Sequence, residues 1–274
     1  MHIRARKALD SFLAEDIGKG DITSNLLPRK KISASIIVRQ GGIVAGVQHV
    51  KYIFASRGCK VKILKKDGST IKPNQKIIII SGFAHTILSC ERTALNLLSR
   101  MSGIATQTNH LMNKIKKVNP KVKLYSTRKT APGLRLFDKE AVEIGGGNRH
   151  RVSLDQMIMI KDNHLAVTGL LELIQKARKK YRTIEVEVES LTDAILAAKA
   201  GASIIMLDNR SPKEILKIVN TLKKLHLRDK VRIEASGGIN STNIQSYART
   251  GVDMISVGKI TSSVSGLDLS LEVN

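Results

Sequence analysis

The sequence predicts an α/β protein whose larger part is an incomplete α/β barrel. Three observations point that way. First, short apolar runs recur after Lys121: VKLYS (122–126), MIMIK (157–161), IEVEV (184–188), IIMLD (204–208), RIEAS (232–236) and MISVG (254–258). Second, helical patterns lie between them, at Leu170–Lys180, Asp193–Ala200, Pro212–Lys224 and Ser241–Thr250, and the last four start-to-start gaps are 27, 20, 28 and 22 residues. That is the repeat of a parallel sheet with helices outside. Third, polar residues keep one phase against the runs: Arg128 and Lys129 follow the first, and Lys161, Asp208, Ser236 and Gly258 end later ones. An open doubly wound sheet shares the repeat, but barrels gather their functional groups at the C-terminal strand ends, which favours the barrel. Six strands are clear and Ala141–Ile144 is a possible seventh, so the barrel falls short of eight.

Residues 1–103 form a different region, with 104–265 assigned to the barrel. Leu9, Phe12, Leu13 and Ile17 have the spacing of an amphipathic helix, and this N-terminal stretch lacks the long apolar segment of a leader. Ser33–Arg39, Val61–Leu64 and Lys76–Ser81 read as strands, and Val47–Arg57 as a helix. From Glu91 to about Val118, Ala94, Leu97, Leu98, Met101, Ile104 and Ala105 mark a long helix with Gly103 as a weak point inside it. Residues 266–274 alternate like a strand and are expected to return to the first region.

Composition narrows the function. The chain has 274 residues, and 46 Lys and Arg stand against 23 Asp and Glu, a net charge of +23 that raises the question of a nucleic-acid partner. Aromatic residues are only 3%, too few for a base-stacking platform, and no helix-turn-helix, zinc-finger or RNA-recognition signature occurs. Many of the cations are paired lysines at helix ends and turns, where they stay solvated. Their field would draw anions toward a cleft. No apolar run approaches a membrane span. Cys59 and Cys90 have no metal or redox spacing and fit a reducing cytosol.

The chemistry concentrates between Ser126 and Leu165. Arg128, Lys129, Arg135, Lys139, Arg149, Arg151 and Lys161 are joined there by His150, His164 and the run Gly145–Gly146–Gly147. Arginine grips carboxylates and phosphates with two parallel bonds, and glycine admits a ligand to the backbone. A small, heavily negative ligand is implied. In IEVEV and the following Glu189, alternation puts Glu185, Glu187 and Glu189 on one face. They fit either a salt-bridge network with Lys161 or Arg151, or a metal site shared with Asp208 on a neighbouring strand. Two acids with substrate phosphate oxygens are a habitual Mg²⁺ environment. Ser236–Gly237–Gly238 and Gly258–Lys259 occupy the last two strand-to-helix turns, the usual phosphate seat of a barrel. A phosphoribosyl donor and a carboxylate-bearing acceptor would satisfy all three features.

Eight segments in order then resemble the quinolinate phosphoribosyltransferase family (nicotinate-nucleotide pyrophosphorylase, carboxylating). They are EDIGKGDIT (15–23), ERTALNLLSRMSGIAT (91–106), STRKTAPGLR (126–135), GGGNRHR (145–151), IKDNH (160–164), EVEVES (185–190), IMLDN (205–209) and ASGGI (235–239). The resemblance implies an N-terminal α/β sandwich domain beside an incomplete barrel of the type II phosphoribosyltransferase kind. It implies transfer of phosphoribosyl from 5-phosphoribosyl-1-pyrophosphate to quinolinate with decarboxylation, with Mg²⁺ required, in a cytoplasmic homodimer. By the same resemblance Arg128, Arg151 and His150 hold the quinolinate carboxylates, with Thr127 in the same turn. Lys129 and Lys161 meet the phosphoribosyl and pyrophosphate groups. Glu187 and Asp208 serve the ribose and the metal-linked donor. Ser236, Gly237, Gly238 and Gly258 hold the 5′-phosphate, and Arg92 reaches across to the partner's site. Lys161, Glu187 and Asp208 are the candidate catalytic set. Two positions depart from the family pattern: Arg149 where Asn is common, and Ser262 where a cation is common, leaving Arg149 or Lys259 to supply that charge. A same-fold relative using another acceptor, such as nicotinate, would retain most of these features; a basic nucleic-acid-binding protein would need only the surface.

Overall fold

A computed structural model describes residues 2–274, which divide into two compact units. One unit contains the chain through Asn109 together with Thr130–Gly146 and Ser263–Asn274; the other contains His110–Lys129 and Gly147–Ser262.

The first unit opens with α1 (Ile3–Ile17), which buries Ala5, Leu9 and Leu13 at helical spacing. Then come β1 (Lys31–Val38), β2 (Gly42–Ile43), α2 (Val47–Ala55), β3 (Lys60–Ile63), β4 (Thr70–Ile71) and β5 (Lys76–Phe83). The C-terminal strand β12 (Leu269–Val273) returns as expected and pairs antiparallel with β1, giving a four-stranded sheet ordered β12-β1-β5-β3. β2 and β4 form a separate antiparallel pair. In the EDIGKGDIT segment, Asp21 accepts from the Ser24 backbone N–H at 2.9 Å and from Ser89 Oγ at 3.0 Å, and Asp16 accepts from Thr93 Oγ1 at 2.9 Å. These acids tie the segment to the next helix.

That helix, α3 (Ala84–Lys116), runs unbroken through Gly103. The glycine is not a weak point. A Cβ there would lie 2.1 Å from the Ser265 carbonyl oxygen, so the missing side chain lets the returning chain cross the helix closely. α4 (Arg135–Ile144) overturns the expected strand at Ala141–Ile144. Phe137, Ala141 and Val142 are buried at 3–4 spacing, and the buried Asp138 takes a forked bond from Arg100 at 2.7 and 2.9 Å.

The second unit holds six parallel strands: β6 (Lys123–Tyr125), β7 (Ile158–Ile160), β8 (Ile184–Val188), β9 (Ile204–Asp208), β10 (Arg232–Ser236) and β11 (Met254–Ser256). Their order is β6-β11-β10-β9-β8-β7, and β6 does not pair with β7. The barrel is therefore incomplete. A seventh position is only a single parallel bridge, Asn148 to Tyr125. Helices α5 (Asp162–Leu165), α6 (Leu170–Arg178), α7 (Leu191–Ala200), α8 (Pro212–Lys224), α9 (Ile244–Ala248) and α10 (Lys259–Ser262) follow β7 to β11. α8 begins with a reciprocal cap in which Glu214 N–H donates to Ser211 Oγ and Ser211 N–H donates to the Glu214 carboxylate, with proline at the first turn. β8 and β9 are almost wholly buried, as parallel strands covered on both faces must be. No helix among the described residues is long and apolar enough to cross a membrane.

Candidate active site

The C-terminal ends of the barrel strands surround a pocket of about 310 Å³, lined by side chains from every strand or the turn that follows it. Thr127, Arg128 and Lys129 follow β6, and Lys161 follows β7. Glu187 stands on β8, Met206 and Asp208 on β9, Glu234 and Ser236 on β10, and Ser256 on β11. His150 and Arg151 enter from the segment beyond the Asn148 bridge. The pocket thus gathers ten expected residues: Thr127, Arg128, Lys129, His150, Arg151, Lys161, Glu187, Asp208 and Ser236 as lining groups, with Gly258 behind Thr127 and Lys129.

The turns are built to hold these groups. Lys129 N–H donates to Thr127 Oγ1 at 3.2 Å, and the Lys129 carbonyl accepts from Thr261 Oγ1 at 2.8 Å. A Cβ on Gly258 would sit 3.2 Å from Lys129 Cδ, so glycine lets the lysine stem lie against the turn. Gly237 has φ +86°, and a Cβ there would meet the Asn209 backbone nitrogen at 2.6 Å. Gly238 has φ +62° and faces open space. Asn209 N–H donates to the Ser236 carbonyl at 3.0 Å, which fastens the end of β9 to the end of β10.

Electrostatics divide the pocket in two. On one side Lys161 Nζ pairs with Glu187 Oε2, and Asp208 Oδ2 accepts from Asn209 Nδ2 at 2.6 Å. On the other, His150 Nε2 lies 3.3 Å from Glu185 and 3.4 Å from Glu234. Both glutamates are fully buried. Burial pulls the His150 imidazole down, but the bonds and charges of the two carboxylates outweigh it and push its pKa up to about 9. Burial raises Glu185, against the lowering effect of His150. Arg151 is lowered by burial and then by the neighbouring Arg128 charge; it donates to the Met157 carbonyl at 3.2 Å. His150 also has φ +55°, a backbone region that costs a β-carbon residue about 1–2 kcal/mol and is tolerated where function holds it.

Some expectations fall elsewhere. Arg92 is exposed on α3 in the first unit, and Gly237 and Gly238 form the turn after Ser236 without lining the pocket. Arg149, Lys259 and Ser262 do not line it either. Glu189 lies beyond the end of β8 and is exposed, whereas Glu185 points inward and is buried with Glu234. Glu234 is the acid that reading from sequence missed. Its signal was available: two residues before Ser236 on a strand is the same face.

Six parallel strands, strand-end glycine turns, and facing cationic and acidic groups define the class as a phosphoribosyltransferase of the incomplete-barrel kind. Comparison with known proteins makes the assignment specific. The chain matches the quinolinate phosphoribosyl transferase C-terminal domain over residues 104–272 and the N-terminal domain over residues 21–102. It is 46% identical over 255 residues to a probable nicotinate-nucleotide pyrophosphorylase [carboxylating] of Archaeoglobus fulgidus, covering 93% of this chain and 98% of that one. It is 34% identical to the nicotinate-nucleotide pyrophosphorylase [carboxylating] of Homo sapiens, covering 97% and 90%. The solved nicotinate-nucleotide pyrophosphorylase of Francisella tularensis superposes with a TM-score of 0.92 at 37% identity, covering 99% of this chain and 96% of that one. The chain belongs to the quinolinate phosphoribosyltransferase family.

Proposed function

We propose that this chain transfers the phosphoribosyl group of 5-phosphoribosyl-1-pyrophosphate to the ring nitrogen of quinolinate, releasing pyrophosphate and carbon dioxide and leaving nicotinate mononucleotide. The observation that carries this reading is the joint presence, in one strand-end pocket, of Arg128, Arg151 and His150 on one side and Lys161, Glu187 and Asp208 on the other. Two arginine forks and an imidazole suit an acceptor with two carboxylates. The Ser236–Gly237–Gly238 and Gly258 turns offer backbone N–H groups to the 5′-phosphate.

The C1–pyrophosphate bond loosens as the nitrogen approaches, and positive charge grows on the ribose. Glu187 and Asp208 stabilise that charge, while Lys129 and Lys161 take the departing pyrophosphate. The alkylated ring nitrogen then draws electrons from the adjacent carbon, the carboxylate there leaves as carbon dioxide, and the carbon takes up a proton. No covalent enzyme intermediate is required; the arginines contribute by orienting the acceptor.

Glu187 and Asp208 are also the residues that would hold Mg²⁺. They are partly exposed carboxylates on adjacent strands of one pocket, and hard oxygen donors of this kind fit Mg²⁺ together with substrate oxygens. The ion would neutralise pyrophosphate charge. In our reading the enzyme works in the cytoplasm as a homodimer, with the exposed Arg92 completing the partner's site.

The test is an incubation with quinolinate, 5-phosphoribosyl-1-pyrophosphate and Mg²⁺. Nicotinate mononucleotide and carbon dioxide are expected in equal amounts. Product from nicotinate without carbon dioxide, and none from quinolinate, would replace this reading with that of a relative using another acceptor.

A further inference from the structure

The short helix α10 serves the pocket through a residue that does not line it. Lys259 and Ser262, at its two ends, are exposed, whereas Thr261 is buried together with Ile260. The Thr261 hydroxyl donates to the Lys129 carbonyl at 2.8 Å, across 132 residues of chain. A helical threonine can instead turn its hydroxyl back to the carbonyl three or four residues earlier. Here that carbonyl belongs to Gly258. It lies 3.4 Å from the hydroxyl and already accepts the Thr261 and Ser262 N–H groups at 3.1 and 3.0 Å. A hydroxyl has one proton, and the nearer Lys129 carbonyl takes it.

Lys129 is thereby held at three points. Its N–H donates to Thr127 Oγ1 at 3.2 Å, its carbonyl accepts from Thr261, and its stem lies over Gly258, where an added Cβ would stand 3.2 Å from Lys129 Cδ. Gly258 is in turn fixed by the N–H groups of α10. The sheet delivers the two turns to this meeting point. Tyr125 of β6 is level with Ser256 of β11, and the Val257 N–H donates to the Tyr125 carbonyl at 2.9 Å. Past that bond both chains leave the sheet, and Thr261 joins them again four residues further along each, at Lys129.

We propose that Thr261 is a positioning residue for the reaction: it fixes the backbone of Lys129 so that the ammonium lies where the departing pyrophosphate forms, and α10 serves the site through this neutral hydroxyl. This rests on the reading that Lys129 meets the pyrophosphate of the donor. A lysine ammonium is a point charge on a flexible four-carbon stem, so its aim depends on the backbone that carries the stem and on the surface along which the stem lies. The first turn of α10 sets both. A preset ammonium answers charge that grows as the C1–pyrophosphate bond lengthens. Misplacing it is therefore felt at the donor and in turnover, while Arg128, His150 and Arg151 still hold the acceptor.

A double-mutant cycle tests this in the full-length protein. Thr261→Val keeps the shape of the side chain and removes the hydroxyl. At saturating quinolinate and Mg²⁺ it should lower kcat/KM for 5-phosphoribosyl-1-pyrophosphate about tenfold, the equivalent of one hydrogen bond and a displaced charge, with quinolinate affinity within about twofold. Thr261→Ser should restore most of the loss. Isothermal titration of 5-phosphoribosyl-1-pyrophosphate alone closes the cycle: Thr261→Val should weaken donor binding in the wild-type background and change it by less than about twofold in Lys129→Ala. Thr261→Ala, which tests the same point should valine disturb the core, is expected to match Thr261→Val. An equal loss of donor binding with and without the Lys129 side chain would overturn the proposal and leave Thr261 a purely structural residue, as would a Thr261→Ser variant no better than Thr261→Val. If the wild type does not use quinolinate, the proposed function fails on its own assay, while the titration cycle still reports whether Thr261 acts through Lys129.

Discussion

Adding a single methyl group at Gly237, Gly238 or Gly258 separates three physical effects at the turns assigned to the 5′-phosphate. Gly238→Ala puts a Cβ into open space at φ +62°, so only the left-handed backbone resists it, at about 1–2 kcal/mol. Gly237→Ala adds a collision to the same backbone penalty. Its Cβ would lie 2.6 Å from the Asn209 backbone nitrogen and 2.2 Å from Asn209 Oδ1, and the backbone atom cannot swing aside as a side-chain end can. Overpacking of that kind adds about 1–3 kcal/mol, for a total of about 2–5 kcal/mol. Gly258→Ala has no left-handed backbone to strain and meets only the Lys129 stem at 3.2 Å, so its stability should change by less than about 1 kcal/mol. Urea unfolding of the three variants should rank Gly237→Ala as the most destabilised, Gly238→Ala next and Gly258→Ala least. Kinetics should show a different order. Gly258→Ala, which displaces Lys129, should raise the KM for the phosphoribosyl donor although it is the most stable of the three. A Gly237→Ala protein as stable as the wild type would refute the reasoning, because it would mean that β9 and β10 are not fastened through Asn209.

Three further outcomes follow from the same pocket. Arg128→Ala should weaken quinolinate binding about a hundredfold by isothermal titration, the equivalent of a charged bidentate contact, without unfolding the protein; unchanged affinity removes Arg128 from the acceptor. Glu187→Gln should lower turnover more than acceptor affinity, because the charge it answers grows in the transition state and it also frees Lys161; a wild-type turnover number excludes it from the reaction. Mixing Arg92→Ala subunits with Lys161→Ala subunits should restore part of the activity that each variant alone lacks, since one site of the hybrid is whole; no recovery means that sites are not shared between copies.

The barrel was legible where burial is uniform. Strands 184–188, 204–208 and 232–236 have the expected bounds: 204–208 is a buried apolar run closed by Asp208, and the other two are short segments in which glutamates alternate with apolar residues. Four residues were too short a window at Ala141–Ile144. A strand and the last turn of a helix look alike there, and only Phe137 and Asp138, one turn earlier, reveal the helical period. Gly103 was misjudged for another reason. Its role depends on the Ser265 backbone, more than 160 residues away in the chain, and no local pattern reports a crossing. The lining cations were visible because they cluster in sequence, whereas Glu234 stands alone in RIEAS between an isoleucine and an alanine. Its identity as a site group requires knowing which face of β10 turns inward.

Register explains why two sets of acids can share so small a space. Glu187 is level with Met206, and Met206 with Glu234, across three neighbouring strands. A neutral thioether thus separates the carboxylates by two strand spacings, about 9.5 Å. Repulsion between unit charges at that distance is less than half its value at 4 Å, whatever the effective dielectric. Each acid can then answer a different cation: Glu187 meets Lys161, while Glu234, with Glu185, meets His150. One step further along β9 and β10 the level pair is Asp208 and Ser236, which places a carboxylate beside a phosphate-type turn at the pocket rim. The strands therefore convert spacing of two residues in the sequence into depth in the pocket, and the strand number converts into position across it. An acceptor held by His150 and the arginines at one end and a pyrophosphate held by Lys161 at the other would meet over Met206. There the uncharged Met206 leaves Glu187, level with it on the next strand, as the acid beside the charge that the proposed reaction develops on the sugar.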